Sequence, residues 1–88
     1  MANKRSLKRA IRSICEELFA EAIAVSMYGP EPANHNAEAQ LYSIVRMEED
    51  FISRVCHPEP GMSPRAYYKN LREQFSAQVS DIIDQLNG

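Results

Sequence analysis

An all-α fold, an up-down-up three-helix bundle assembled into a helical homo-oligomer, is predicted for this 88-residue chain by three observations. Two proline clusters, Gly29-Pro30-Glu31-Pro32 and His57-Pro58-Glu59-Pro60-Gly61, cut the chain into three long segments. Each segment repeats its apolar residues at steps of three and four, the spacing that gathers them on one helix face. Glycine is scarce, with three residues, and tryptophan is absent, which suits a few long helices better than a turn-rich β protein.

The segments span roughly 6–28, 36–56 and 64–86, about five or six turns each. In the first, Leu7, Ile11, Ile14, Leu18, Ala22 and Val25 form one stripe, with Cys15, Phe19 and Ile23 beside it. Gly29 is expected in the left-handed position past the helix end, with Pro30 blocking extension. The second segment carries Leu41, Ile44, Val45, Phe51, Ile52 and Val55, and Asn34 or Asn36 is expected to cap its unpaired first-turn amides. The third has the strongest start signal, Ser63 as cap and Pro64 at the first helical position. Its stripe is Tyr68, Leu71, Phe75, Val79, Ile82, Ile83 and Leu86. Connectors of about seven residues favour antiparallel neighbours, hence the bundle. Proline lacks a donor and clashes with the preceding turn, so neither cluster is helix interior.

Residues 1–88 are read as one domain. A chain this short buries only about 60–65% of the surface it exposes when unfolded. The formal net charge of -2 conceals an asymmetry: Lys4, Arg5, Lys8, Arg9 and Arg12 precede the first acid, and twelve acids face five bases from Glu16 onward. A basic arm on an acidic body suggests self-complementary packing or an anionic partner. Cys15 and Cys56 are too few for a disulfide framework and read as reduced thiols. Glu16 and Glu17 follow the basic start, and Glu21 interrupts the apolar run Leu18 to Met27, which is too short to span a bilayer, so a cytoplasmic location without membrane association is expected.

Leu18 to Val25 reads LFAEAIAV, apolar nearly all round, whereas an outer helix of a bundle keeps a polar face. The expectation is a homo-oligomer interface at Leu18, Phe19, Ala22, Ile23 and Val25, since association enlarges a small core. A central helix shielded by its neighbours is the competing reading. Lys4, Arg5, Lys8, Arg9 and Arg12 are the candidate anion contact. Their charge opposes the helix dipole, so a solvated arm offset by pairs such as Arg12 with Glu16 is favoured over a nucleic-acid contact. Aromatic residues that would stack on bases are missing from the arm.

Chemistry-bearing constellations are weak. Antiparallel helices bring Glu16 or Glu17, Glu48 and Glu73 to one level, but di-iron bundles also use Glu-x-x-His pairs, which neither His35 nor His57 completes. Arg46 and Arg72 are expected as partners for these acids. Cys56 is expected nearer Arg9 than Cys15, and its neighbour His57 is a poor candidate for activating it. Tyr67 and Tyr68 follow the proline-rich loop, which is read as a stiff connector before a recognition surface. No catalytic residue, metal site or cofactor is expected.

The opening MANKRSLKRAI, the segment ICEELFAEAIA and the stretch DFISRVCHPEPGMSPRAYYKNL resemble a family of short bacterial proteins without an assigned activity. The likeness covers nearly the whole chain. It implies a helical, oligomeric protein and carries over no site residue. The function expected is therefore that of a non-enzymatic helical interaction or structural protein that self-associates through its first helix. The alternative is a nucleic-acid-associated accessory protein using the basic arm.

Overall fold

A computed structural model describes residues 4–31 and 33–87, apart from the side chains of residues 33 and 34. Three helices make up the fold: α1 (Lys4–Tyr28), α2 (Ala33–Cys56) and α3 (Pro64–Asn87). No strand is present among the described residues. The molecule is elongated, with extents of 46 × 19 × 19 Å, as helices of about 24 residues dictate.

Several helix ends follow the chemistry read from the sequence, and others depart from it. Ser63 Oγ accepts a bond from the Ala66 amide at 3.2 Å, and the Tyr67 amide reaches the Ser63 carbonyl at 2.9 Å. That is a side-chain cap on an otherwise orphan first-turn donor. The cap position expected at Asn34 or Asn36 falls elsewhere: α2 begins at Ala33, so the backbones of both residues lie inside its first turn, and the Asn34 side chain lies outside the described residues. Gly29 is not left-handed either. Its amide simply extends the helical ladder to the Val25 carbonyl at 2.8 Å. A Cβ there would lie 2.6 Å from that same oxygen, so glycine is required by close approach rather than by handedness. The α1–α2 connector is consequently shorter than expected, residues 29–32, whereas the α2–α3 connector keeps its seven residues, 57–63.

Packing is unequal around the bundle. α1 lies along α2 most extensively, α3 rests chiefly on α2, and α1 and α3 touch least. Small residues explain the first contact: Cys15 and Ala22 on α1 and Ala37 on α2 are fully buried, which lets the two backbones approach. Around them the core is Ile11, Leu18, Ile44, Met47, Phe51, Val55, Leu71, Phe75, Ile82 and Leu86. Phe51 and Phe75 meet edge to face at a centroid distance of 5.2 Å, the favoured geometry for opposed ring quadrupoles. Gln40, the buried polar residue of this core, donates through its amide to the Gln85 side-chain oxygen and so escapes an unpaired burial.

Contacts at the two ends define the directions. Lys8 Nζ reaches Cys56 Sγ at 3.8 Å, and Tyr67 Oη donates to the Arg54 carbonyl at 2.9 Å. The N-termini of α1 and α3 and the C-terminus of α2 therefore share one end. Gln40 with Gln85 marks the other.

Candidate functional site

On the α1 surface, the five residues expected at an interface divide into two groups. Leu18 and Ala22 are 5% and 0% exposed, spent in the chain's own core, and so do not reach a surface. The physical reason is the close α1–α2 approach, which covers the central arc of the apolar ring. Phe19 and Val25 are half-buried at its margins. Ile23 remains 38% exposed. The rest of the outer face, Ala20, Glu21 and Ala24, is solvated mainly by small residues and one acid.

Across the groove from Phe19 and Ile23, α2 presents Val45, 41% exposed, beside Ile44. Together with Cys15, Glu16, Ala20 and Glu48 these residues line a shallow, mainly apolar depression of about 350 Å³, to which α3 contributes nothing. Val45 is the element of this strip that sequence reading missed as a surface residue. Its place in the α2 stripe marked it apolar, but only the register against α1 shows that it falls on the open edge.

A second apolar cleft lies where α1 and α3 diverge, lined by Leu7, Ala10, Ile11, Ile14, Leu71 and Phe75 among others. It sits toward the end that holds the N-termini of α1 and α3.

The basic arm occupies α1's first three turns. Lys4, Arg5, Arg9 and Arg12 are exposed, and Lys8 is half-buried against Cys56. Among the described residues none of the five forms an ion pair, so the expected Arg12–Glu16 pairing is not observed. Arg54 pairs with Asp50 at 3.0 Å, and His35 Nε2 lies 3.2 Å from the Glu31 carboxylate. Arg46 also departs from expectation: it stacks over Tyr42 and bonds its hydroxyl at 3.0 Å rather than joining a carboxylate.

Topology turns this arm into something larger. Residues 4–14 and 50–76, the part of the bundle nearest the shared end, hold nine of the ten Lys and Arg residues against three acids, Asp50, Glu59 and Glu73. Arg54, Arg65, Lys69 and Arg72 join the α1 arm there. The longer remainder, which includes the middle of the bundle, holds Arg46 alone against nine acids, including Glu31, Glu38, Glu48 and Glu49. Charge is thus divided along the rod, +6 toward the shared end and −8 over the longer remainder.

Neither thiol forms a disulfide. Cys15 is buried beside Glu48, and burial, with the Glu48 carboxylate adding to it, pushes the thiol up to about 11. A neutral thiol of this kind is a poor nucleophile. Cys56 is exposed and its sulfur meets Lys8, not Arg9 and not His57. Among the described residues no group of three His, Cys, Asp or Glu side chains is placed to hold a metal ion, so the level shared by Glu16, Glu48 and Glu73 does not converge into a site.

At the connector, Tyr67 and Tyr68 are occupied. Tyr67 Oη donates to the Arg54 carbonyl and Tyr68 Oη to the Val55 carbonyl at 3.1 Å, closing two acceptors that the last turn of α2 leaves open. Their rings meet edge to face. The pair staples α3 to the end of α2. No helix among the described residues is long and apolar enough to cross a membrane.

Comparison with known proteins finds no match for the chain among protein-family models, curated proteins or solved structures.

Proposed function

We propose that this chain is a non-enzymatic helical interaction protein of the bacterial cytoplasm that self-associates through the α1/α2 groove. The observation that carries the reading is the strip of Phe19, Ile23 and Val45. It comprises apolar side chains from two adjacent helices, open to solvent on a domain too small to leave apolar surface idle. Burying each exposed aliphatic side chain contributes at about 25 cal/mol per Å² of apolar surface. The likeness of the opening MANKRSLKRAI and of DFISRVCHPEPGM to short helical bacterial proteins agrees with this reading.

Light scattering after gel filtration tests it. The wild-type chain is expected to elute as a dimer or higher oligomer at micromolar concentration. Ile23→Glu or Val45→Glu is expected to yield monomer with unchanged helical circular dichroism, since both positions are solvent-accessible in the single chain. A wild-type monomer refutes the proposal.

The gathering of nine cations at one end favours a second reading, a nucleic-acid-associated accessory protein that holds phosphates without reading bases. Its binding would weaken steeply with salt through counterion release. Absence of any mobility shift with duplex DNA at about 50 mM salt removes it.

A further inference from the structure

We infer that the cleft between α1 and α3 holds an amphipathic helix of another protein, one whose apolar ridge is flanked by Asp and Glu. This surface is separate from the α1/α2 groove, and its occupancy does not depend on self-association. The lining, the rims and the shape of the cleft specify the occupant.

Leu7, Ile11 and Ile14 of α1, with Leu71 and Phe75 of α3, make the floor. The cleft measures about 380 Å³ and lies between the two helices that touch least. Arg72 lines it and, among the described residues, no acid does. The two rims differ. Arg65, Lys69 and Arg72 recur at steps of four and three, so they share one stripe along α3, and all three are exposed. Among the described residues none of them forms an ion pair. Ser6, Ala10 and Ser13 recur at the same steps along α1 and carry little bulk, so a helix backbone can come close on that side. The nearest acids along these stripes are Glu17, a turn beyond Ser13, and Glu73, which follows Arg72; neither lines the cleft.

This chemistry sorts the candidate occupants. A nucleic-acid backbone supplies charge but nothing apolar for Leu7, Ile14 and Phe75. A lipid surface supplies both, but it is flat where the cleft is concave, and a groove between two helices takes the ridge of a third. An extended peptide brings unpaired amides to a mainly apolar lining. A helix arrives with its amides already bonded to its own carbonyls. From Ser6 to Ile14 the cleft runs about 12 Å, the length over which side chains at i, i+4 and i+7 project from one helix face. Such a helix turns three helices into a four-helix bundle, and acids on its α3 side meet cations that the single chain leaves without a carboxylate.

The probe is a fluorescent helical peptide of about eighteen residues, with Leu at those positions and Glu on one flank. A second peptide carries Lys for each Glu. Fluorescence anisotropy with the wild-type chain is expected to give a Kd about tenfold tighter for the Glu peptide. Reversing the rim with Arg65→Glu, Lys69→Glu and Arg72→Glu together is expected to invert that preference. Ile14→Glu puts a carboxylate on the floor at a position 39% exposed in the single chain. It is expected to abolish binding of the Glu peptide with unchanged helical circular dichroism, whereas Ile23→Glu, on the other groove, leaves binding intact. Equal affinity for the two peptides overturns the assignment, as does binding that Ile23→Glu abolishes and Ile14→Glu spares. No binding of the Glu peptide at up to about 1 mM overturns it equally. Vesicles of anionic phospholipid that displace the Glu peptide from wild type, and that Ile14→Glu no longer binds, would make a membrane the occupant instead.

Discussion

Raising the pH from 9 to 11 is expected to destabilise the fold through one thiol. Cys15 is 2% exposed, between α1 and α2, with the Glu48 carboxylate nearby. Both the loss of hydration and the neighbouring negative charge disfavour the thiolate, which is why its pKa rises from 9.0 to about 11. The sign follows from counting protons. Well below pH 9 the thiol is protonated whether the chain is folded or not, and it contributes no pH dependence. Between 9 and 11 the unfolded chain releases the proton while the folded chain retains it, so stability falls as pH rises. Each pKa unit corresponds to about 1.4 kcal/mol, so the loss approaches about 3 kcal/mol once both states are ionised, and about 2 kcal/mol of it falls between pH 9 and 11 because each end of that window is the midpoint of one state's titration. That is a large share of the roughly 5–15 kcal/mol that stabilises a typical domain.

Urea denaturation at fixed protein concentration, at half-unit steps of pH, measures this for the wild type and for Cys15→Ala. The variant starts from a lower stability because it leaves a small cavity, but its curve is expected to be flatter by that same amount between pH 9 and 11. Whatever else changes with pH is common to both proteins and cancels in the difference. Glu48→Gln, which removes the second cause and retains the first, is expected to fall between the two. Parallel losses of stability in wild type and Cys15→Ala would refute the reasoning.

The tyrosine staple and the α3 cap give two further tests. Tyr67→Phe and Tyr68→Phe each remove a hydroxyl from a carbonyl of α2's last turn and are expected to cost about 1 kcal/mol, seen as a fall of several degrees in Tm. Unchanged melting in the double variant would show that water serves those carbonyls equally well. Ser63→Ala is expected to cost about 1 kcal/mol and Ser63→Gly only a few tenths, because glycine is tolerated at the cap position. Equal losses would assign the effect of Ser63 to something other than its bond to the Ala66 amide.

Much of the helical layout is local and was therefore legible along the chain. Proline has no amide to donate, so helices stop at Pro30 and Pro58 whatever the rest of the molecule does. Ser63-Pro64 starts α3 for equally local reasons. The caps at the other junction were misread because Asn34 and Asn36 suit both a cap and a first turn, and only the path of the connector chooses between them. Gly29 illustrates a similar ambiguity: freedom to turn left and freedom to approach a carbonyl closely are indistinguishable in a one-letter code.

The candidate surface was legible only in part. Periodicity identified LFAEAIAV as apolar around its circumference, but not which arc the neighbouring helix covers. That depends on how closely two backbones approach, and here Cys15, Ala22 and Ala37 allow them to come close enough to bury Leu18 while leaving Ile23 at the edge. Ion pairing was equally beyond reach, since Arg46 chose the ring of Tyr42 over a carboxylate through contacts that spacing alone does not rank.

By itself the sequence determined three helices, their approximate limits and a basic opening segment, because hydrogen-bond capacity and helical periodicity act over a few residues. Tertiary structure decided what those helices expose. Two reversals of direction return the start of α3 and the end of α2 to the start of α1, which brings Arg54, Arg65, Lys69 and Arg72 to the end that holds the basic arm and leaves nine acids along the rest of the bundle. A local +5 on an acidic chain thereby becomes a rod with one strongly basic end, a property of topology that no segment carries alone.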